Sequence, residues 1–427
     1  MVVDTDLASD DVVALFYLVS DPRVDLRAVT VSGTGEVTCP RGAAVARGLL
    51  TSMGKGDVPV ACGQSAPLSG DRVFPAEWRT AADNAYGLVL PIVAAPADEQ
   101  DAVELLIGSI SAAEAPVTLL TLGPLTNVAQ ALAEEPDLVD DLASVVVMGG
   151  AVDVPGNVQP EGAAAPLAAE WNLYIDPAAS AAVVDSGAPV TLVSLDATNQ
   201  VPVTEGLIDR LAANDRTDAT SHVLDILSSR TPPYLWDPLA AIAATDPVLV
   251  PSHEVTIAVT IDGDDAGRTV EQPGGSAVLV ADPPDVDTVL DHLLRTLAGM
   301  AEDEPLTPPT TIPIVGNATV GFDGATCTYD GPTSLPPGSL VVTATPGPVP
   351  YYALVAHLVE GATIEDAVAW AAEHPDEQPP MIDRIDAVGE DAMPSPATIE
   401  LMTGTSAVVC GTTEGALALG ATVTVGG

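Results

Sequence analysis

Four carboxylates near the start of the chain are the first feature that could do chemistry, and they fall within eight residues: Asp4, Asp6, Asp10 and Asp11. The hydrophobic pattern predicts a buried strand at Met1–Val3 and an apolar helix at Asp11–Val19, so the carboxylates lie at a strand-to-helix turn. Carboxylates this close repel one another unless a cation neutralises them. Oxygen ligands with no His or Cys nearby favour Ca²⁺ or Mg²⁺, so the cluster predicts a site for a hard divalent cation.

A purely structural interpretation of the same cluster also exists. Ser9 or Asp10 could cap the helix, where the helix dipole favours negative charge. The other acids could belong to a solvated surface, since the chain has 60 Asp and Glu against 13 Lys and Arg. The net charge of −47 excludes nucleic acids and anionic membranes as partners, because phosphate binding needs clustered Lys and Arg.

Composition favours a globular protein with ample core. Hydrophobic residues make up 47% of the 427 residues, and the length allows two domains. Because no apolar run approaches the roughly 18 residues of a membrane span, we expect no transmembrane segment. The chain opens on a strand-like segment rather than on a charged leader, so we expect no signal peptide within this sequence.

Residues 1–300 alternate short β-branched runs with helical patterns, which predicts a mostly parallel sheet with helices on both faces. Ligands of such sheets bind at the carboxyl ends of the strands. Strands are predicted at Leu26–Val31, Val117–Thr121, Ala143–Met148 and Val190–Leu195, and helices at Ala43–Thr51 and Leu125–Leu132.

Residues 301–315 are rich in Pro, Thr and acidic residues, and we interpret them as a linker. The sequence pattern changes after this segment. Residues 316–427 contain short strands between Gly and Pro turns and one helix, Ile364–Glu373, which predicts a small β-sandwich. Cys327 and Cys410 lie near its first and last strands and could form a disulfide or remain buried thiols. Whether Cys39 and Cys62 form a disulfide is likewise left open by the sequence. The module resembles accessory domains of exported bacterial proteins, so we expect the protein outside the cytoplasm or in the envelope, with the cytoplasm as the alternative.

Two families with acidic loops fit the opening cluster poorly. An EF-hand loop needs Gly at its sixth position, where Ser9 stands when counting begins at Asp4. Phosphatases of the haloacid dehalogenase type also open with a strand and Asp-x-Asp. They need a Thr or Val at the position of Ala8 and a downstream Lys, whereas the only lysine is Lys55.

The third candidate is the nucleoside hydrolase family, whose opening Asp-x-Asp-x-x-x-Asp-Asp this sequence resembles. Further segments are similar to that family in the same order across about residues 1–300: Leu122–Asn127, Val147–Gly150, Asn157, Glu170–Asn172 with Asp176, and Trp236–Pro238. One such match is weak in an acidic chain, but five in order are a specific signal. The resemblance implies hydrolysis of the N-glycosidic bond of a ribonucleoside, on an α/β fold.

Roles for individual residues follow from the same resemblance. It implies Ca²⁺ ligands at Asp6, Asp11, Asp237 and the carbonyl of Leu122, with Asp4 as a supporting carboxylate. Asp10 would bind a ribose hydroxyl, and the remaining sugar hydroxyls would be held by Asn157, Glu170 and Asn172. Cleavage passes through an oxocarbenium-like sugar, which needs negative potential and an activated water. Asp6 would accept the proton of that water.

The sequence differs from the inosine–uridine branch of the family at the residue expected to assist departure of the base. In that branch a His precedes the last Asp. Trp236 stands there, which resembles the purine-preferring branch, so we expect base stacking on Trp236 and a preference for purines. Trp78 could supply a second stacking face from a mobile loop, and Trp171 we interpret as a packing residue. His222, His253 and His292 lie in no matching motif.

A second departure follows the second strand, where the family usually has an Asn and this chain has Gly33-Thr-Gly-Glu36. Glu36 could contact the sugar or the metal in its place. The resulting hypothesis is a Ca²⁺-dependent ribonucleoside hydrolase that acts on a small-molecule nucleoside, and a homo-oligomer is compatible with it. The alternatives are a non-catalytic nucleoside- or sugar-binding protein on the same fold and, behind it, a haloacid-dehalogenase-like phosphatase.

Overall fold

The computed structural model divides the chain into two compact units, Met1–Pro309 and Thr310–Gly427. It describes residues 1–94, 100–159, 166–229, 232–301, 304–308, 314–345, 347–348, 351–359, 361–373, 379–389, 397–401, 403–412 and 417–426. Of the predicted linker, residues 302–303 and 309–313 lie outside this described part. A strand already begins at Ile314, two residues before the predicted start of the second domain.

The first unit is built on one large sheet. Its described strands are β1 (Val2–Thr5), β2 (Ala28–Val31), β3 (Val60–Cys62), β4 (Val117–Thr121), β5 (Leu142–Met148), β6 (Val190–Val193), β7 (Ser252–Val259), β8 (Thr269–Glu271) and β9 (Ser276–Ala281). They follow the order β3-β2-β1-β4-β5-β6-β9-β7-β8. Pairing is parallel from β3 to β9, and β7 runs antiparallel to both β9 and β8. The predicted mostly parallel sheet is therefore confirmed.

Helices cover both faces of this sheet. Because side chains alternate along a strand, Val2 packs into one hydrophobic core and Val3 into the other. The described α-helices of this unit are α1 (Ser9–Ser20), α2 (Arg41–Ser52), α3 (Ala76–Asp83), α4 (Ala102–Ser111), α5 (Thr126–Glu134), α6 (Trp171–Ile175), α7 (Pro177–Val184), α8 (Leu195–Thr198), α9 (Glu205–Ala213), α10 (Asp218–Ser229), α11 (Trp236–Thr245) and α12 (Val286–Leu297). No helix in the described part of the chain is long and apolar enough to cross a membrane.

The start of α1 corrects one expectation. Neither Ser9 nor Asp10 caps this helix: its N-cap is Ala8, whose side chain makes no capping hydrogen bond. The amide of Ala8 instead donates to Asp6 Oδ1 at 3.3 Å. Asp10 and Asp11 occupy the first turn with buried side chains. The acids around this turn are therefore committed to a pocket rather than to helix capping.

The second unit contains two sheets that share one core. Its described elements are β10 (Ile314–Phe322), β11 (Cys327–Asp330), β12 (Ser334–Leu335), β13 (Gly338–Ala344), β14 (Tyr352–Leu358), α13 (Ile364–Glu373), β15 (Ile382–Gly389), β16 (Ala397–Leu401), β17 (Gly404–Gly411) and β18 (Leu417–Val425). The sheets have the orders β11-β10-β13-β16 and β12-β18-β17-β14-β15. Val320 and Val342 from the first sheet pack with Val355 and Val408 from the second, which forms the predicted β-rich module.

All four cysteines are paired in two disulfides, one within each unit. Cys327–Cys410 ties β11 to β17, which decides between the two alternatives left open for that pair. Cys39–Cys62 joins the segment after β2 to the end of β3. This second bridge anchors the loop that carries Gly35 and Glu36.

Candidate active site

One pocket of the first unit collects the predicted site residues at the carboxyl ends of the parallel strands. Asp6 follows β1, Glu36 lies beyond the end of β2, Leu122 follows β4, and Met148 is the last residue of β5. We call it the carboxylate pocket, and its lining residues are Asp6, Ala8, Asp10, Asp11, Glu36, Phe74, Trp78, Leu122, Met148, Asn157, Glu170, Trp171, Asn172, Trp236 and Asp237. All ten residues predicted as catalytic, substrate-binding or metal-binding are among them, and their individual roles stay predictions.

A strained turn after β1 fixes Asp11. Leu7 has a backbone φ of 56°, a left-handed conformation that non-glycine residues rarely adopt. This conformation lets the amides of Asp6 and Leu7 donate to Asp11 Oδ1, at 3.0 and 3.2 Å, and the Thr5 hydroxyl donates to the same oxygen. Asp11 Oδ2 is buried and has no hydrogen-bond partner. One oxygen is thus saturated by protein donors, and the other remains available to a ligand.

Asp6 is held by close backbone contacts on two sides. Its Oδ1 accepts from the amide of Ala8, and its Oδ2 accepts from the amide of Glu36 at 3.1 Å. A Cβ at Gly35 would lie 2.7 Å from Asp6 Cγ, and one at Gly123 would lie 2.7 Å from Asp6 Cβ. Glycine is therefore required at both positions if Asp6 is to keep this place.

Three buried carboxylates could hold a metal ion. Asp10, Asp11 and Asp237 each offer an oxygen, and these atoms lie within 4.8 Å of one another. Asp237 Oδ1, like Asp11 Oδ2, is buried without a hydrogen-bond partner. Burial raises the pKa of Asp11 and of Asp237 well above the usual range, and repulsion from neighbouring carboxylates adds to the shift. A divalent cation fits this all-oxygen donor set, because it would neutralise the charge and satisfy both unpaired oxygens.

The geometric grouping differs from the predicted ligand set at one position, because Asp10 rather than Asp6 completes the group of three. Asp6 nevertheless lines the same pocket. Burial raises the pKa of Asp6 and of Asp10 to about 6. The carbonyl oxygen of Leu122, the predicted backbone ligand, accepts a hydrogen bond from Asn172 Nδ2 at 3.0 Å. Since a carbonyl oxygen has two lone pairs, this bond leaves room for a second partner.

Apart from Asp10 in α1, the predicted sugar-binding residues lie on and around the start of α6. Glu170 is the N-cap of this helix and accepts from the amides of Asn172 and Gly150, at 2.9 and 3.3 Å. Burial raises the pKa of Glu170 to about 7. Asn157 Oδ1 accepts from the amide of Trp171 at 3.1 Å. These bonds hold the polar side chains in fixed positions beside the carboxylates.

Asp4 lies behind the pocket rather than in its lining. It is fully buried, and its Oδ1 accepts from Thr30 Oγ1 at 2.6 Å and from Asn127 Nδ2 at 2.8 Å. Burial raises the pKa of Asp4 to about 7. These contacts connect β1 to β2 and to the start of α5, and the supporting role of Asp4 stays a prediction.

Aromatic rings form another part of the pocket lining. The Trp171 ring lies 5.1 Å from Phe74 and 5.3 Å from Trp78, measured between centroids. Trp78 belongs to α3, so the expectation of a loop position was wrong. Trp171 both packs against these rings and lines the pocket, which exceeds the packing role assigned to it. Trp236 begins α11, next to Asp237, and its indole N–H donates to Asn199 Oδ1 at 2.9 Å.

Three features of the site escaped prediction or were only guessed. Glu36 lines the pocket, as the sequence had suggested. Its Oε2 accepts from the hydroxyl of Tyr86 at 3.1 Å, and Tyr86 was missed. Phe74 was also missed as a lining residue, although it is one of only three Phe in the chain and lies four residues before Trp78. Because aromatic residues are scarce in this chain, the position of Phe74 near Trp78 could have identified it as a lining residue. Nothing local in the sequence predicts the contact between Tyr86 and Glu36.

Comparisons with known proteins agree with this geometry. The family model for the inosine-uridine preferring nucleoside hydrolase matches residues 1–295. The chain is 33% identical over 287 residues to the pyrimidine-specific ribonucleoside hydrolase RihA of Photobacterium profundum, covering 63% of this chain and 87% of that protein.

Solved structures are similar over the same region. The inosine-uridine preferring nucleoside hydrolase of Bacillus anthracis aligns with a TM-score of 0.62 at 29% identity, covering 70% of this chain and 99% of the other. The purine-preferring ribonucleoside hydrolase of Gardnerella vaginalis aligns with a TM-score of 0.63 at 28% identity, covering 70% and 98%. The predicted family, fold class and N-glycosyl hydrolase activity are confirmed, and the phosphatase alternative is removed. The chain belongs to the inosine–uridine preferring nucleoside hydrolase family.

Proposed function

We propose that the protein is a Ca²⁺-dependent hydrolase that cleaves purine ribonucleosides to the free base and ribose. The observation that carries the proposal is the composition of the carboxylate pocket. Buried carboxylates with unpaired oxygens, fixed polar groups suited to a sugar, and aromatic rings suited to a base line a single cavity. The three sets match the cation, the ribose and the base of such a reaction.

The cation would be held by Asp6, Asp11, Asp237 and the carbonyl of Leu122. Oxygen-only ligands favour Ca²⁺ or Mg²⁺ over transition metals, and several carboxylates on separate segments suit the larger, more variable coordination sphere of Ca²⁺. When bound, such a cation lowers the pKa of water and orients hydroxyl groups of the substrate. Two buried carboxylate oxygens without partners, on Asp11 and Asp237, support this assignment.

The reaction itself depends on where the chain places its acceptors. Asp6 would take the proton of the attacking water, since the amides of Ala8 and Glu36 hold its carboxylate as an acceptor at the pocket. Asp10, Asn157, Glu170 and Asn172 would bind the ribose hydroxyls. The surrounding carboxylates would stabilise the positive charge that develops on the sugar ring as the bond to the base breaks.

The preference for purines rests on the aromatic lining. No His lines the described part of the pocket, and Trp236 precedes Asp237. A large aromatic face stacks better on a two-ring base than on a one-ring base because more area is covered. The compared proteins carry names of both kinds, pyrimidine-specific and purine-preferring, so substrate preference has to be measured on this chain.

The decisive experiment measures ribose release from inosine, adenosine, guanosine, uridine and cytidine at saturating Ca²⁺. We expect kcat/KM for the purine nucleosides to exceed that for the pyrimidine nucleosides. Equal or reversed preference would remove the purine assignment. Absence of ribose release from all five would remove the hydrolase proposal itself.

The role of Asp6 is tested by Asp6→Asn, which keeps the shape of the side chain but removes the proton acceptor. We expect kcat to fall by at least about 100-fold, with nucleoside affinity, measured by calorimetry at saturating Ca²⁺, largely retained. Asp137→Asn, the same change at an exposed carboxylate of the Pro136–Asp141 turn, is the matched control and should be neutral. Activity of Asp6→Asn close to wild type would contradict the assignment.

We also propose that the protein works outside the reducing cytoplasm. The support is the pairing of all four cysteines, because disulfides persist in oxidising compartments. Alkylation and mass spectrometry of the protein taken from its native host should find no free thiols. Four alkylated cysteines would contradict the proposal. A homo-oligomer of this chain is a further proposal, and sedimentation analysis would test it.

A further inference from the structure

The charged side chains among the described lining residues of the carboxylate pocket are all acidic. Six carboxyl side chains line it, and no Lys, Arg or His is found among the described lining residues: the six are Asp6, Asp10, Asp11, Glu36, Glu170 and Asp237. One divalent cation offsets at most two negative charges, and the described lining offers no basic side chain to offset any other. Clefts lined by one sign of charge concentrate ligands of the opposite sign. The pocket therefore favours a substrate that carries positive charge.

Hydrogen-bond directions show what the pocket lacks. Glu36 accepts from Tyr86, Glu170 accepts from backbone amides, and the indole N–H of Trp236 is donated to Asn199. The described lining side chains are thus oriented mainly as acceptors, and the two residues expected to stack on the base, Trp78 and Trp236, have no acidic proton to give it. A neutral base leaves poorly without such a proton. A base that already carries a positive charge leaves as a neutral molecule.

The aromatic part of the lining fits such a base. The rings of Phe74, Trp78 and Trp171 lie within 6.3 Å of one another, and Trp is the aromatic side chain that binds cations best. A cation already lies on the edge of this cluster: the Arg72 guanidinium is 4.9 Å from the centroid of Tyr174, whose ring is 5.8 Å from Trp171. The cluster is therefore compatible with a planar cation.

From these three observations we propose that the pocket hydrolyses N-ribosides whose base carries a fixed positive charge, such as pyridinium or N7-alkylated purine ribosides. The inference rests on the N-ribosyl hydrolase activity proposed above. The bond between C1′ and the base nitrogen breaks, and the nitrogen keeps the electron pair and becomes neutral. Water oxygen bonds to C1′, and the proton of water passes to Asp6 and then to solvent. The products are a neutral base, ribose and one proton.

The first test compares guanosine with 7-methylguanosine, at a pH where the methylated base is cationic. Methylation also weakens the glycosidic bond in solution, so a single comparison of the two substrates is not informative. The informative quantity is the cationic-to-neutral ratio, kcat/KM for 7-methylguanosine divided by kcat/KM for guanosine, and its change in a variant. In Glu36→Gln and in Trp78→Leu we expect the cationic-to-neutral ratio to fall about tenfold, which is about 1.4 kcal/mol. Glu134→Gln is the matched control: this exposed residue ends α5, roughly 12 Å along the helix from Thr126, and does not line the pocket, so the ratio should not change.

The second test uses the wild-type protein and needs no variant to fold. We expect 1-methylnicotinamide, a cation, to inhibit guanosine hydrolysis at least about tenfold more strongly than neutral nicotinamide. Binding can be followed independently by quenching of Trp fluorescence, because three of the four Trp line the pocket.

The outcomes separate this inference from the proposal on which it rests. Equal inhibition by the two nicotinamides, or a substrate ratio that stays the same in both pocket variants, would each overturn the preference for cationic bases while guanosine hydrolysis continued. Absence of ribose release from both guanosine and 7-methylguanosine would instead remove the hydrolase proposal.

Discussion

Gly35 offers the sharpest test of how the chain positions Asp6. A Cβ at this residue would lie 2.5 Å from Asp6 Oδ2 and 2.7 Å from Asp6 Cγ, whereas ordinary van der Waals contacts begin at 3.4 Å. The new Cβ would also overlap Asp6 Cβ, its nearest neighbour, so in Gly35→Ala the two segments must separate by more than about 1 Å. A displacement of about 1 Å in an active site can cost about 100-fold in rate, equivalent to about 2.7 kcal/mol.

Steady-state ribose release at saturating Ca²⁺ measures this effect. We expect kcat/KM of Gly35→Ala to fall about 100-fold, and overpacking to destabilise the fold by about 1–3 kcal/mol. Gly108→Ala is the control, because Gly108 lies in α4 and a Cβ there meets nothing within 4 Å. It should keep full activity and gain up to about 1 kcal/mol of stability. Activity of folded Gly35→Ala within about threefold of wild type would refute the reasoning.

Two further predictions concern single hydrogen bonds. Asn199→Ala removes the acceptor of the Trp236 indole N–H, so KM for ribonucleosides should rise about threefold to tenfold with little change in kcat; an unchanged KM would show that this bond does not orient the ring. In the second unit, burial raises the pKa of Asp386, but hydrogen bonds from His357 and Arg384 outweigh it and leave the pKa below the usual value. Because a lowered carboxyl pKa stabilises the fold above the unfolded-state pKa of 3.8, calorimetry should find Asp386→Asn less stable than wild type at neutral pH. The gap should close as the pH falls through the folded-state pKa, and a gap constant down to pH about 2 would contradict the argument.

The site could be predicted largely because its chemistry is carried by short segments at strand ends. Asp6, Asp11, Leu122 and Asp237 are recognisable from local patterns, and the parallel sheet brings the ends of β1, β2, β4 and β5 together. The alternation of strands and helices was sufficient to predict that sheet. The family resemblance therefore supplied the residues, and the predicted topology independently placed Asp6 and Leu122 at one edge of the sheet.

Other features depend on contacts between distant segments. Tyr86 meets Glu36 across fifty residues, with positive φ angles at Ala85 and Tyr86, and no periodicity predicts such a pair. The clamp of Gly35 and Gly123 on Asp6 likewise depends on atomic distances. The alternative interpretation, in which Ser9 or Asp10 caps α1, was wrong; acids in a first turn look like capping residues whether they bind the backbone or a ligand.

The central claim is that the buried carboxylates Asp11 and Asp237 hold a divalent cation required for glycosidic cleavage. Its most direct test is ribose release by chelator-treated protein as Ca²⁺ is added back. We expect no activity without the ion and recovery that saturates with one Ca²⁺ per chain, with Mg²⁺ and Zn²⁺ as comparison ions. Full activity of the metal-free protein would contradict the claim.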